Sequence, residues 1–386
     1  MNGRYGIVAI GYNRKKSLQR LLEALNHVDY QEYAPILIIS LDYSGVLDII
    51  KTAEEFRWDY GEKIVKSYEK QQGLRKHILK CGDYIDEYQL DAIAVFEDDI
   101  VPSPAFFSYM VQAVQYYKDD MEIAGISLYT HLWNVNQEMP FQPLASRFDT
   151  FFLQFAQSWG QIWMPKQWRE FREWYSANSE EFFHAEKVPS TVCNWRGSSW
   201  LKYHIRYCVE KNKYFVYPYE SLCTNFTDIG THNEYNTALY QVPLQVDSKK
   251  SYLFAKKSEF AVVYDAYFES QNLAGCLKIL GKDLCVDIYG TKNNREKKRY
   301  WLTTQKADFK VIKEYGLKMK PQELNIIMDV KGQEIRLYDT EVVYKESGQG
   351  LSLYKKYDYY FRSSHCPWKE QAKLLFYRIL MKFKRG

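Results

Sequence analysis

Glu97, Asp98 and Asp99 stand in a row directly after the apolar run Ala92-Ile-Ala-Val-Phe96. Three adjacent carboxylates repel one another unless a cation sits among them, and an oxygen-only ligand set suits Mg²⁺ or Mn²⁺. A solvated strand end carrying three acids is the other reading of the triplet. The run in front of it favours the metal. An all-apolar stretch bounded by turn residues, here Ile100-Val-Pro-Ser-Pro104 on the far side, reads as a strand buried on both faces. Ligands of open parallel sheets bind just beyond the carboxyl ends of such strands.

The elements that would position these acids follow from periodicity. Tyr5-Gly-Ile-Val-Ala-Ile-Gly11 reads as a first buried strand with Tyr12-Asn-Arg14 as its exit loop. Ser17 is expected to cap the next helix, whose apolar face is Leu18, Leu21, Leu22 and Leu25. Pro35–Leu41 reads as a second strand with Asp42 at its carboxyl end. A helix over Gly45 to Phe56, a short strand at Lys63–Val65 and a helix marked by Leu74, Ile78, Cys81 and Ile85 precede the acidic strand. A helix carrying Phe107, Met110, Val111 and Val114 follows it. Alternating strand and helix over the first 118 residues predicts an α/β fold: a mostly parallel sheet flanked by helices and joined by right-handed crossovers. Gly6 to Gly11 is neither GxGxxG nor a P-loop, which argues against a dinucleotide or triphosphate cradle there.

The chain of 386 residues is long enough for two domains, and with 46% hydrophobic residues a core is assured. Its 52 basic and 48 acidic side chains leave a net charge of +4, too balanced for a protein that coats nucleic acid. The 34 tyrosines and 10 tryptophans are unusually many. Aromatic faces stack on sugars, but most such residues are simply core. Seven scattered cysteines without a CxxC pair read as reduced thiols of a cytoplasmic protein. No leader or spanning segment is evident in the sequence as given.

After Ile123 the pattern changes. Aromatics crowd Phe151–Trp174, and a Tyr217-Pro…Gly230-Thr-His232 segment offers hydroxyl, imidazole and amide donors to an anion. Beyond Gln245 the chain is basic and irregular, with strand-like pieces at Leu284–Tyr289, Leu324–Val330 and Ile335–Tyr338. The expected division is 1–244, 245–368 and a terminal basic amphipathic helix, 369–386. In that helix Ala372, Leu375, Phe376, Ile379, Leu380 and Phe383 share one face, with Lys369, Lys373, Arg378, Lys382, Lys384 and Arg385 largely off it. Such a helix lies in a membrane interface at anionic lipid or docks on its own domain.

The motifs together resemble GT-A-fold glycosyltransferases, in particular the N-acetylglucosaminyltransferase I-like group and its bacterial surface-polysaccharide relatives. The group's Glu-Asp-Asp motif with a following Pro and Phe-Phe pair is matched by Phe96 to Phe107. Its first-loop Arg is matched by Arg14, its second-strand Asp by Asp42, and its nucleotide-contacting His by His77. Ser158-Trp-Gly160, Trp163 and Trp168 match the bacterial relatives, as does the segment from Tyr217 to His232. The likeness covers residues 4–235.

The resemblance implies that Asp99 binds Mn²⁺ or Mg²⁺ bridging the phosphates of a nucleotide-sugar, with Glu97 beside it. It further implies that Asp98 holds the ribose or a metal-bound water, Asp42 and His77 the base, and Arg14 the nucleotide, while Thr231 and His232 close over the diphosphate. The expected activity is metal-dependent, inverting transfer of a sugar from a UDP donor to a glycan or lipid-linked glycan. A non-catalytic nucleotide-sugar binder is the alternative, and a pyrophosphorylase is disfavoured by the first loop. One departure bears on the choice: inversion needs a carboxylate base, and where relatives have Asp before a Trp this chain reads Gly197-Ser-Ser-Trp200. Glu220, Asp228 or Glu186 is the candidate to substitute for it, and a protein that has lost turnover is the alternative.

Overall fold

The computed structural model describes residues 3–180, 187–226, 228, 238–257, 261–292, 297–345, 350–362 and 367–383. They form two compact units, one of residues 1–136 and 143–272 and one of 137–142 and 273–386.

The first unit is built on a mixed, mostly parallel sheet of nine strands. Strands β1 (Tyr5–Gly11), β2 (Ile36–Leu41), β3 (Lys63–Ser67) and β4 (Ala92–Glu97) form its parallel half in the order β4-β1-β2-β3. Every residue of β1 and β2 is buried, as their nearly continuous apolar runs lead one to expect. β6 (Ile123–Ser127) and the strands Gln161–Trp163, Tyr214–Pro218, Thr150–Leu153 and Val263–Tyr264 complete the sheet on the β4 side. The Gln161–Trp163 strand runs antiparallel to both β4 and β6.

Register brings the carboxyl ends together, with Ile10 opposite Glu97 and Gly11 opposite Leu41. Helix α1 (Lys15–Leu25) buries Leu18, Leu21, Leu22 and Leu25 completely, and α2 (Leu47–Glu55) packs beside it. Helix α3 (Leu74–Glu87) lies against β4, α4 (Phe106–Tyr117) drives Phe106 and Phe107 into the core, and α5 (Pro165–Asn178) packs on α3 and on the helix Leu201–Glu210. The α/β class expected from the sequence is the fold observed.

The structure corrects several local expectations. Ser17 does not cap α1: the helix begins at Lys15 with Arg14 before it, and Ser17 sits buried inside the first turn. The first unit runs to Asn272, not 244. Residues beyond 245 lack period-2 or period-3.6 patterning, yet Phe254, Ala255, Ala261 and Val263 join the core and Val263–Tyr264 adds an edge strand parallel to Thr150–Leu153.

The aromatic stretch is core rather than cleft lining. Trp163 and Trp168 stack with ring centres 4.1 Å apart, both buried. Beside them His204 is wholly buried among Phe171, Trp168, Trp200 and Phe215, and neither ring nitrogen has a hydrogen-bond partner. Burial pushes its pKa down to about 3. Below the unfolded value of about 6.5 the unfolded chain takes up a proton that the folded chain refuses, so stability is lost as pH falls from there. His204→Phe should flatten the stability curve by about 1.4 kcal/mol per pH unit between pH 6 and 4. It should also add about 1–3 kcal/mol at pH 7, where two unpaired polar atoms disappear. Urea unfolding at both pH values checks this, and parallel wild-type and variant curves would refute it.

The second unit has a four-stranded sheet in the order Leu284–Asp287, Tyr300–Thr303, Ile335–Val343, Phe309–Tyr315, the first pair parallel and the others antiparallel. Leu324–Val330 is not a strand. Its Leu324–Ile327 portion is one helical turn, because the buried Asn325 side chain bonds the backbone of Lys318, Met319 and Gln322. Such local side-chain bonds compete with a sheet ladder.

Candidate functional site

The carboxyl ends of β1, β2 and β4, the start of α3 and the loop before Trp200 enclose a cleft of about 350 Å³. Arg14, Asp42, His77, Glu97, Asp98, Asp99 and Asp228 all line it. They come from segments up to 214 residues apart in sequence; the parallel register of the sheet gathers all but Asp228.

Asp98 and Asp99 follow β4 and are both buried. Arg14, from the loop after β1, ion-pairs with Asp98 and reaches Asp99 Oδ2 at 3.3 Å. Although its own burial opposes this, the two carboxylates hold the guanidinium firmly charged. Burial raises the Asp98 carboxyl to about 6 against the pull of Arg14. Burial, with Asp99 and Asp98 adding like charge, pushes Glu97 up to about 8. Asp99 Oδ1 is buried without any hydrogen-bond partner. An unpartnered carboxylate oxygen at the wall of an acidic cleft is a costly arrangement in the absence of a ligand.

Among the described residues no three His, Cys, Asp or Glu side chains form a ligand cluster. A divalent ion fits here only as such ions bind diphosphates, through one or two carboxylates with phosphate and water completing the sphere. Asp99 Oδ1 is the free oxygen for that arrangement.

Asp42 is occupied otherwise. Its Oδ1 accepts from Tyr43 N at 2.9 Å and Gln72 N at 2.7 Å, and its Oδ2 from Gly73 N at 2.9 Å. The carboxylate thereby joins the end of β2 to the start of α3. Gly73 has φ +78° and ψ 150°, backbone open essentially to glycine alone, which makes that join possible. His77, one turn into α3, is buried and shares a 2.8 Å hydrogen bond with Ser40 Oγ. Burial brings its pKa down to about 4, so the imidazole is neutral at pH 7.

Asp228 arrives by a non-local route. The strand Cys223–Asn225 pairs antiparallel with β5 (Ile100–Pro102), directly after the acidic triplet, and Phe226 N donates to Asp99 O at 2.9 Å. Asp228 then ion-pairs with Arg20 and accepts from Ser17 Oγ at 2.7 Å. Burial alone would raise its pKa, but these bonds hold it below the usual carboxylate range, which makes it a weak proton acceptor. Glu220 is not brought to the cleft: it is exposed at the surface and pairs with Lys250 at 2.7 Å. Glu186, Thr231 and His232 lie outside the described residues.

The cleft wall also includes residues to which the sequence assigned no ligand contact. Ser198 stands on the cleft wall, where the resemblance calls for a carboxylate, and Arg196 is beside it. Among the described lining residues Arg14 and Arg196 are the only Lys or Arg side chains. No periodicity marks Arg196. The position of its neighbour Trp200, buried ahead of the helix Leu201–Glu210, is the signal that could have placed it.

Fold and site together define an α/β protein with an acidic, arginine-edged cleft at the carboxyl edge of its sheet. No family model and no curated protein matches the chain. Among solved structures it is similar to the mannosyltransferase PcManGT from Pyrobaculum calidifontis in complex with GDP-Man and Mn²⁺. That likeness has 12% identity over 50% of this chain and 51% of the other, with a TM-score of 0.32. It is also similar to S. aureus TarS 1-349 in complex with UDP-GlcNAc, at 11% identity over 59% of this chain and 60% of the other, with a TM-score of 0.37. The chain thus spans about half to three-fifths of the length of these solved chains. Likenesses this partial and distant carry no functional weight, and the reading of the site rests on its own geometry.

Proposed function

We propose that the cleft binds the nucleoside diphosphate of a sugar donor, with UDP as the nucleotide. The protein then acts as an inverting glycosyltransferase that passes a hexosyl or N-acetylhexosaminyl group to a hydroxyl of a glycan or lipid-linked glycan in surface polysaccharide or glycolipid synthesis. The observation that carries this reading is that Asp99 lines the cleft while its Oδ1 is buried without a partner. A bound Mn²⁺ or Mg²⁺ supplies neutralisation of the charge that develops on a departing diphosphate. Asp99, with Asp98 beside it, would hold that ion. Arg14 keeps the two carboxylates from repelling each other and adds positive charge at the same place. Asp42 shapes the wall against which a base would lie, and neutral His77 presents an uncharged imidazole there.

Arg196 is the cation for the diphosphate itself, because Arg14 is already engaged by Asp98 and Asp99. A charge-assisted hydrogen bond contributes about 1.5–3 kcal/mol, so Arg196→Ala should weaken UDP binding roughly ten- to a hundredfold. Calorimetry measures this, and unchanged affinity removes Arg196 from the site.

A second reading is favoured by the absence of a free carboxylate base among the described candidates. Asp228 is held ionised by Arg20 and Ser17, Glu220 is out of the cleft, and Ser198 is no base. A nucleotide-sugar-binding protein without turnover would have this appearance. Thermal shift against a panel of nucleotide-sugars with and without Mn²⁺ tests the shared claim of donor binding, since ligand raises the melting point of the native form. Release of UDP in the presence of acceptor glycans then separates enzyme from binder. If no donor shifts the melting point under any metal condition, both readings fail.

A further inference from the structure

Charge is divided unevenly along this chain. Residues 273–386, nearly all of the second unit, hold 24 Lys and Arg against 13 Asp and Glu, a net of +11. The preceding 272 residues hold 28 against 35, a net of −7. The basic excess therefore belongs to one part of the protein, and that part also exposes two apolar helical faces.

The helix Leu353–Phe361 is fixed to its unit from one side. Tyr360 is buried, with its hydroxyl bonded to Gln322, and the Tyr359 hydroxyl donates to Met319 O. Leu353, Tyr354, Tyr357 and Phe361 point the other way and are exposed, with the Tyr357 and Phe361 rings stacked 5.6 Å apart. The helix Trp368–Phe383 follows. A helix docked on its own unit would have Leu375, Phe376 and Ile379 covered. They are 61%, 59% and 45% exposed, and Trp368 is 72% exposed. The same helix carries Lys369, Lys373, Arg378 and Lys382 in its sequence against a single acid, Glu370.

We propose that the second unit docks on a bilayer surface containing anionic lipid, with the Trp368–Phe383 helix lying in the interface and the outward face of Leu353–Phe361 joining it. Sixteen residues with this much charge do not span a bilayer, and no helix among the described residues is long and apolar enough to do so. The helix lies in the surface plane, its apolar side chains at the acyl boundary and its basic ones among the lipid phosphates. An acidic groove on another protein would match one helix. An extended anionic surface matches a positive charge distributed over 114 residues. The proposal is independent of what the cleft of the first unit binds.

Flotation of the full chain with vesicles is the test, using phosphatidylcholine alone and phosphatidylcholine mixed with phosphatidylglycerol. Binding should be at least about tenfold stronger to the anionic vesicles and should weaken in high salt, as attraction within a Debye length does. Reversal of two charges in Lys369→Glu/Lys373→Glu should reduce it by about tenfold or more. Leu375→Asp/Phe376→Asp should abolish it. All four side chains are exposed, so both variants should melt with the wild type and keep any nucleotide-sugar thermal shift. Equal binding to neutral vesicles, binding that survives both variants, or no binding to either vesicle would each overturn the proposal. Concentration-dependent self-association abolished by Leu375→Asp/Phe376→Asp, without vesicle binding, would assign the surface to a second copy of the chain instead.

Discussion

Asp99→Asn should abolish metal-dependent use of the sugar donor while leaving the folded protein as stable as before, or slightly more so. The two effects separate because of how the carboxylate is held. Its Oδ1 is buried without a partner, and Oδ2 meets only the edge of a guanidinium that is committed chiefly to Asp98. The neutral amide removes a negative charge lying beside Asp98, and that offsets the weakened contact to Arg14. A binding site deprived of its ligating oxygen has no such compensation. Loss of an electrostatic contact to the charge that develops in a transition state lowers turnover by about 10²–10³. UDP release and the Mn²⁺-dependent part of the donor thermal shift should therefore vanish together, at unchanged melting temperature without ligand. A variant that still shifts with donor and Mn²⁺ would mean that Asp99 is not where the ion is held.

Gly82→Ala should be among the most damaging single substitutions in the fold, although it adds one methyl group. A Cβ at Gly82 in α3 would lie 1.9 Å from Cζ2 of Trp168. The indole has nowhere to go. It is stacked on Trp163 at 4.1 Å, and its Nε1 donates to Asp83 Oδ1 at 3.0 Å. Overpacking of a filled core costs about 1–3 kcal/mol, occasionally more. A clash pinned on two sides belongs at the upper end of that range, because either α3 or α5 must shift. Denaturant unfolding should show a loss of about 3 kcal/mol, partly recovered in Gly82→Ala/Trp168→Phe, where the smaller ring makes room. A loss below about 0.5 kcal/mol, the scale of an ordinary surface change, would mean that α3 and α5 are not in the contact described.

Legibility in the sequence followed the range of the interactions. β1, β2 and β4 are apolar apart from Ser40 and the terminal Glu97 because helices cover both faces of the sheet, so composition alone reveals them and places Asp42, Glu97, Asp98 and Asp99 at one edge. Leucines at helical spacing gave α1 away for the same reason. What could not be read are the contacts made across the chain. Ser17 has the side chain of a helix cap, yet its hydroxyl goes to Asp228, 211 residues later. Asp228 itself reaches the cleft only because Cys223–Asn225 pairs with β5. Asp42 was expected to face a ligand, and backbone amides already surround it. Glu220 and Asp228 looked equivalent as carboxylates of a polar loop, but Lys250 retains one at the surface and Arg20 draws the other inward. Residues 245–272 have no period, because a segment laid across a finished core contributes isolated aromatics rather than a face.

The clamp that Asp42 places on the amides of Tyr43, Gln72 and Gly73 has a consequence for recognition. This stretch of wall owes its shape to the chain itself and lost its conformational freedom during folding. An arriving molecule meets a rigid, finished contour, so little ordering entropy there is subtracted from its affinity. Discrimination at that wall accordingly depends on shape fit, with poorly fitting guests rejected because the surface does not yield to them.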